Sequence, residues 1–219
     1  MSPNEQLAGV FLASLSVLAP RLVRADAVPK VFIVLEETAE DITDSAAAPA
    51  RLKTAIATLK LEQPKALAEL ARVGASAEMR AGLSHTLNDL YRAAEMADRN
   101  ATARLATDVL LSVADAIDSF KPVRPGDLLR LDALAMRIPL DLSAQKPAEA
   151  TQHAERLAEV WQRLRPRVSE TARVARDEFS VEVANLLKAV ARGHAKSTMA
   201  RARAIEKLVD ELEDTFPAW

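Results

Sequence analysis

The stretch GLSHTLNDLYRAAEMADRNATARLATDVLLSVADAI, residues 82–117, decides how this chain is read. In its first half apolar residues fall at Leu83, Leu87, Leu90 and Ala94, the i, i+4, i+7, i+11 spacing that draws one stripe along a helix. A polar break at Asp98, Arg99 and Asn100 follows, and a second stripe then runs through Ala106, Val109, Val113 and Ala116. Two amphipathic helices joined by a short turn make a helical hairpin. Such a hairpin has one apolar face and must bury it against something else.

Outward from this hairpin the pattern recurs about every 48 residues. Turn signals lie near Pro49, at Asp98 to Asn100, at Lys146-Pro147 and at Gly193-His194. A second, interleaved set lies at Gly74 to Ser76, in the segment KPVRPG at 121–126 and at Pro166 to Ser169. The division predicts four hairpins, at 26–73, 74–121, 122–169 and 170–217. In the first helix of each copy the stripe reads Leu35, Ala39, Ile42, Ala46; Leu83, Leu87, Leu90, Ala94; Leu131, Ala135, Ile138, Leu142; and Phe179, Val183, Leu186, Val190. In the second helix it reads Thr58, Leu61, Lys65, Ala68; Ala106, Val109, Val113, Ala116; Ala154, Leu157, Trp161, Leu164; and Ala202, Ile205, Val209, Leu212. Only Thr58 and Lys65 break the columns. Pro64 stands between them, and a proline there is expected to interrupt the helix and shift its register. Asn100 and Ser197 are expected as N-caps, and Pro147 in a first helical turn.

The fold class that follows is all-α: four hairpins that pair into two up-down four-helix bundles or stack as one helical array. The proline-rich break at 121–126 favours two bundles, residues 28–121 holding hairpins one and two and residues 122–219 holding hairpins three and four. Composition agrees. The 219 residues are 49% hydrophobic but only 4% aromatic, with five glycines, which are helical preferences, and no strand pattern is found. A net charge of −2 gives no global attraction to nucleic acid or anionic lipid, and the absence of cysteine excludes disulfides, thiolate ligands and a cysteine nucleophile.

Ahead of the first hairpin, Leu7 to Ala19 carries no charge, and Ala25-Asp26-Ala27 places small residues where a signal peptidase inspects them. Residues 1–27 therefore read as a secretory signal cleaved before Val28, which makes the protein periplasmic or otherwise exported. The alternative is an amphipathic helix with Leu7, Phe11, Leu15, Leu18 and Leu22 on one face, in a cytoplasmic scaffold. The apolar run is too short for an ordinary transmembrane span.

The segments TLNDLYRAAEMADRNATARLATD (86–108) and LDALAMRIPLDLSAQKPAEATQHAERLAEVWQRL (131–164) resemble the hairpins of the periplasmic cytochrome b562 family. The resemblance implies an up-down-up-down bundle in the periplasm. That family holds haem between a methionine early in its first helix and a histidine near the end of its last. The nearest positions here are Leu83 or Ser84 and Arg165, so these ligands do not carry over.

Residues able to carry chemistry are few. His85, His153 and His194 lack the spacing of a metal site and read as solvent or helix-edge histidines. Met79, Met96, Met136 and Met199 are scattered and read as packing, although they leave a cofactor-carrying bundle for haem or metal as an alternative. Glu36, Glu37, Glu40, Asp41 and Asp44 form an acidic run without the spacing of a calcium loop and read as a solvated helix face. Arg163, Arg165, Arg167, Arg173 and Arg176, with Lys188, Arg192, Lys196, Arg201, Arg203 and Lys207, make the C-terminal half basic, but aromatic interleaving for nucleic acid is missing. Trp161 falls in a core column, and Trp219 is the last residue. No phosphate-binding loop and no Ser-His-Asp set is found. The expectation is a non-enzymatic binding or scaffold protein with no catalytic or metal residues, no cofactor, no nucleic-acid partner, and a protein or small molecule of unknown identity as its partner.

Overall fold

The computed structural model describes residues 27–46 and 48–217. The uncharged run at 7–19, Ala47 and Trp219 lie outside the described residues, as does the proposed signal up to Asp26. The described residues are all-α, with eight α-helices: α1 (Lys30–Ser45), α2 (Pro49–Arg72), α3 (Ala77–Glu95), α4 (Arg99–Asp118), α5 (Asp127–Ser143), α6 (Pro147–Leu164), α7 (Arg173–Ala191) and α8 (Ala195–Glu213). Two short 3-10 turns, at Arg165–Arg167 and Glu170–Ala172, join α6 to α7. None of these helices is long and apolar enough to cross a membrane.

The stripes read from the sequence face inward. In all four first helices the first three column residues are buried and the fourth, at the helix end, is half-buried. The columns of α4, α6 and α8 are buried throughout. The exception is α2, where Leu61 is 63% exposed and Ile56, Leu59, Ala66 and Leu70 are buried instead. The expected interruption is not found: α2 continues through Pro64, whose ring is exposed. The register shift is present, two residues toward the N-terminus from Leu61 to Leu59.

Neighbouring helices meet through short turns. The chain enters the left-handed region at five of them: at Lys121 (φ +50°), which Pro122 follows, and at Gly74, Ala97, Gln145 and Gly193 (φ +75°, +56°, +59° and +66°), which share one build. In these four the following N–H reaches back to a carbonyl five residues earlier: Ala75 to Leu70, Asp98 to Ala93, Lys146 to Asp141 and His194 to Ala189, at 2.8–3.1 Å. This wrap satisfies the orphan carbonyls of a helix end. Two expected caps are corrected. Asp98, not Asn100, caps α4 by accepting from Ala101 N–H at 2.9 Å, and Ser197 lies inside α8, which starts after His194 without a side-chain cap. Pro147 does occupy the first turn of α6.

The helices of each half close on themselves. In the N-terminal half α1 packs on α2 and α4, and α3 on the same two; in the C-terminal half α5 packs on α6 and α8, and α7 on those two. Packing of α4 on α5 joins the two rings, and one apolar cluster runs from Val28 and Phe32 to Val209 and Leu212 without a gap. The proline-rich segment between α4 and α5 is thus a tight corner. Gly126 sits there because a Cβ would lie 2.5 Å from the Ala114 carbonyl oxygen, too close for any side chain. Its N–H donates to Asp118 at 3.0 Å, and Arg130 spans the corner to Asp115, Asp118 and Asp127.

Candidate cation-binding cleft

Next to the core columns of α1, α5 and α8 stand acids. Glu36 and Glu40 each follow a buried residue, Leu35 and Ala39; Asp132 follows Leu131; Glu206, Asp210 and Glu213 follow Ile205, Val209 and Leu212. A residue one position past a core stripe lies at the margin of the buried face, 100° round the helix. Because α1 belongs to one ring and α5 and α8 to the other, these margins line a single cleft of about 360 Å³ between the rings. Seven carboxylates, counting Glu37, share it with one cation, Arg124, and with the apolar side chains of Ile33 and Met136. Arg124 is ion-paired with Glu213.

Glu36 is the decisive member. It is only 8% exposed, and its Oε2 is buried with no hydrogen-bond partner. Taking a carboxylate out of water without a partner disfavours its charged form, and Glu40 and Glu213 add repulsion that Arg124 only partly offsets. The Glu36 carboxyl is accordingly pushed up to about 8. Asp132 is raised well above the carboxylate range too, by burial first and then by Glu40, Glu206, Glu213 and Asp210. The expected solvated face on α1 is therefore corrected for Glu36. Its neighbour Asp41 does face outward, along the groove between α1 and α2 with Thr38 and Arg51.

A second polar cluster ties α4, α5 and α6 and has the opposite character. Asp141 is fully buried and accepts hydrogen bonds from Arg104 Nε (2.9 Å), Arg137 Nε (3.0 Å) and His153 Nδ1 (2.6 Å). Arg137, 6% exposed, also donates to the Arg104 carbonyl, Thr107 and Asp108 at 2.6–3.0 Å. Arg104 continues to Glu149. Burial alone would raise the Asp141 carboxyl, but the His153 and Arg137 hydrogen bonds outweigh it and hold the carboxyl below its ordinary value. Of the two expected readings, solvent or helix-edge, half-buried His153 fits the second: it is a hydrogen-bonded residue at the edge of α6.

The remaining sequence candidates stay apart. His85 pairs with Asp89 on the surface of α3, and His194 precedes α8. Met79 accepts from Ser119 Oγ at 3.2 Å, Met96 is 77% exposed, and Met136 lies in the acidic cleft. Several basic residues of the C-terminal half are ion-paired, Arg163 with Asp127, Arg176 with Glu170 and Arg201 with Glu182. Trp161 is packed on Phe179 with ring centroids 4.3 Å apart and donates to Ser180. Among the described residues, no group of three histidines or carboxylates is placed to hold a metal ion.

Sequence reasoning reached Glu36, Glu37 and Glu40 but missed Asp132, Glu206, Asp210, Glu213 and Arg124. The available signal was an acid directly after a core position on three separate helices. Its meaning depends on α1 and α8, at opposite ends of the chain, meeting across α5. No protein-family model, curated protein or solved structure matches this chain.

Proposed function

We propose that this is a non-enzymatic binding protein whose cleft between α1, α5 and α8 takes a cationic ligand. The observation that carries this reading is the buried Glu36 side chain, whose Oε2 has no hydrogen-bond partner, among six further acids and one ion-paired arginine. A fold gains no stability from a buried acid held without a partner, so its presence calls for a group that completes it. Residues 1–27 are proposed as an export signal, which puts the binding protein in the periplasm or another exported setting. Support for this is the uncharged Leu7–Ala19 run, the Ala25-Asp26-Ala27 triplet and a hairpin pattern that starts after it. Intact mass of protein recovered from its native host tests the export proposal: loss of Met1 to Ala27 is expected, and their retention overturns it.

The binding proposal is tested by thermal denaturation at low salt with Mg²⁺, spermidine or a lysine-rich peptide added. At least one cation is expected to raise the melting temperature of the wild type, since a ligand bound only by the folded state stabilises it by mass action. The same cation should have a smaller effect on Glu36→Gln. No shift with any of the three would sink the cation-site reading.

A further inference from the structure

Resting on the cation-site reading, we infer that the cleft is built for an extended organic polycation, a linear polyamine, whose binding drives a proton off Glu36. Three features of the cleft select this class. Its charge is spread out: Glu206 and Glu213 lie seven residues apart on α8, about 10 Å along the axis at 1.5 Å per residue, while Glu36 and Glu40 span about 6 Å of α1. Among the described residues no three acids are placed around one point to hold a compact ion. Ile33 and Met136 supply apolar surface between the acids, which suits the methylene segments that separate the amines of a polyamine. Lastly, a volume of about 360 Å³ is that of a small-molecule pocket and not of a protein-sized interface.

The proton follows from what surrounds Glu36. Glu37 and Glu40 on its own helix, Asp132 on α5 and Glu213 on α8 are acids, and the one cation, Arg124, is shared with Glu213. With an ordinary value near 4.5 moved to about 8, Glu36 holds its proton at pH 7 in the free protein. An ammonium group placed beside it favours the carboxylate, so the O–H bond breaks, the proton leaves to buffer and an ammonium-carboxylate pair remains. Affinity should therefore rise as pH climbs toward 8.

Isothermal titration of the full chain with spermidine at pH 7 and low salt, repeated in two buffers of different ionisation enthalpy, tests this. Expected are one spermidine per chain, binding at least tenfold tighter than Mg²⁺ or butylamine, and buffer-dependent heats that report proton release. Glu36→Gln should weaken spermidine at least tenfold and reduce the proton release, Asp132, which is raised too, supplying the remainder, and Asp132→Asn should weaken binding to a similar degree. Circular dichroism and melting of both variants separate lost binding from lost fold. Mg²⁺ binding as tightly as spermidine would overturn the polyamine while keeping a cation site, and a lysine-rich peptide binding tighter would overturn it in favour of a protein partner. Spermidine binding undiminished in Glu36→Gln, or without proton release, overturns the inference. Absence of binding by every cation overturns the cation-site reading as well.

Discussion

Asp141 and Glu36 are both buried carboxylates at helix margins of the same molecule, and they differ in company. Asp141, between α4, α5 and α6, receives three charged or polar donors, and its carboxyl sits below the ordinary range. Glu36, between α1, α5 and α8, has a buried oxygen with no donor, and its carboxyl is pushed up to about 8. Burial acts in the same direction on both, so the opposite outcomes come from hydrogen bonds and neighbouring charge. A paired buried acid helps specify how helices meet. An unpaired one works against folding.

The largest test of this contrast is Asp141→Ala, which leaves the mostly buried Arg104 and Arg137 facing each other without their shared acceptor. A loss of about 3–5 kcal/mol is expected in denaturant unfolding, the cost of stranding one side of a buried ion pair. The pH dependence has a definite sign. With its folded value lowered, Asp141 contributes stability above the ordinary carboxylate range and loses it as pH falls through the folded value, so the variant should show a flatter acid limb. Equal stability of variant and wild type would mean that the seam cluster is decorative.

Glu36→Gln should act in the other direction. Unfolded Glu36 ionises near 4.5 and folded Glu36 near 8; between these values the unfolded chain gives up its proton first, and stability falls as pH rises. Removing the charge removes that loss. The variant should be more stable than wild type by about 1–3 kcal/mol at pH 8 and indistinguishable below about pH 4, read from melting curves across pH. A Glu36→Gln protein less stable than wild type at pH 8 would show that the carboxylate has a structural partner. The smallest effect is expected at an exposed pair. Lys60 and Glu95 lie 3.2 Å apart with side chains 48% and 67% exposed, and Glu95→Ala should change stability by less than about 0.5 kcal/mol.

Much of the fold was legible because helical periodicity is a local property. The columns through Leu83, Leu131 and Phe179 could be read directly, and so could the turns at Asp98, Lys146-Pro147 and Gly193. Where the reading failed, a competing local effect had decided. A proline inside α2 costs one hydrogen bond and is tolerated with its ring exposed, so the helix ran on. Asp98 won the cap over Asn100 because its side chain reaches Ala101 N–H. The site was less legible. Glu36 looks like any acid in the run EETAED, and nothing near it in the chain reveals that Arg124, Asp132 and Glu213 will enclose it.

The sequence by itself determined the helices of the described residues, most of the turns between them and the inward stripes outside α2, since amphipathic spacing and turn chemistry act over a few residues. Only the tertiary structure decided which margins meet. Packing of α4 on α5 joined the rings so that α1 and α8 face a common cleft, while the seam of α4, α5 and α6 brought Arg104, Arg137 and His153 onto Asp141. The charge state of a buried acid depends on neighbours brought by the fold from distant parts of the chain, and a helical stripe carries no record of them.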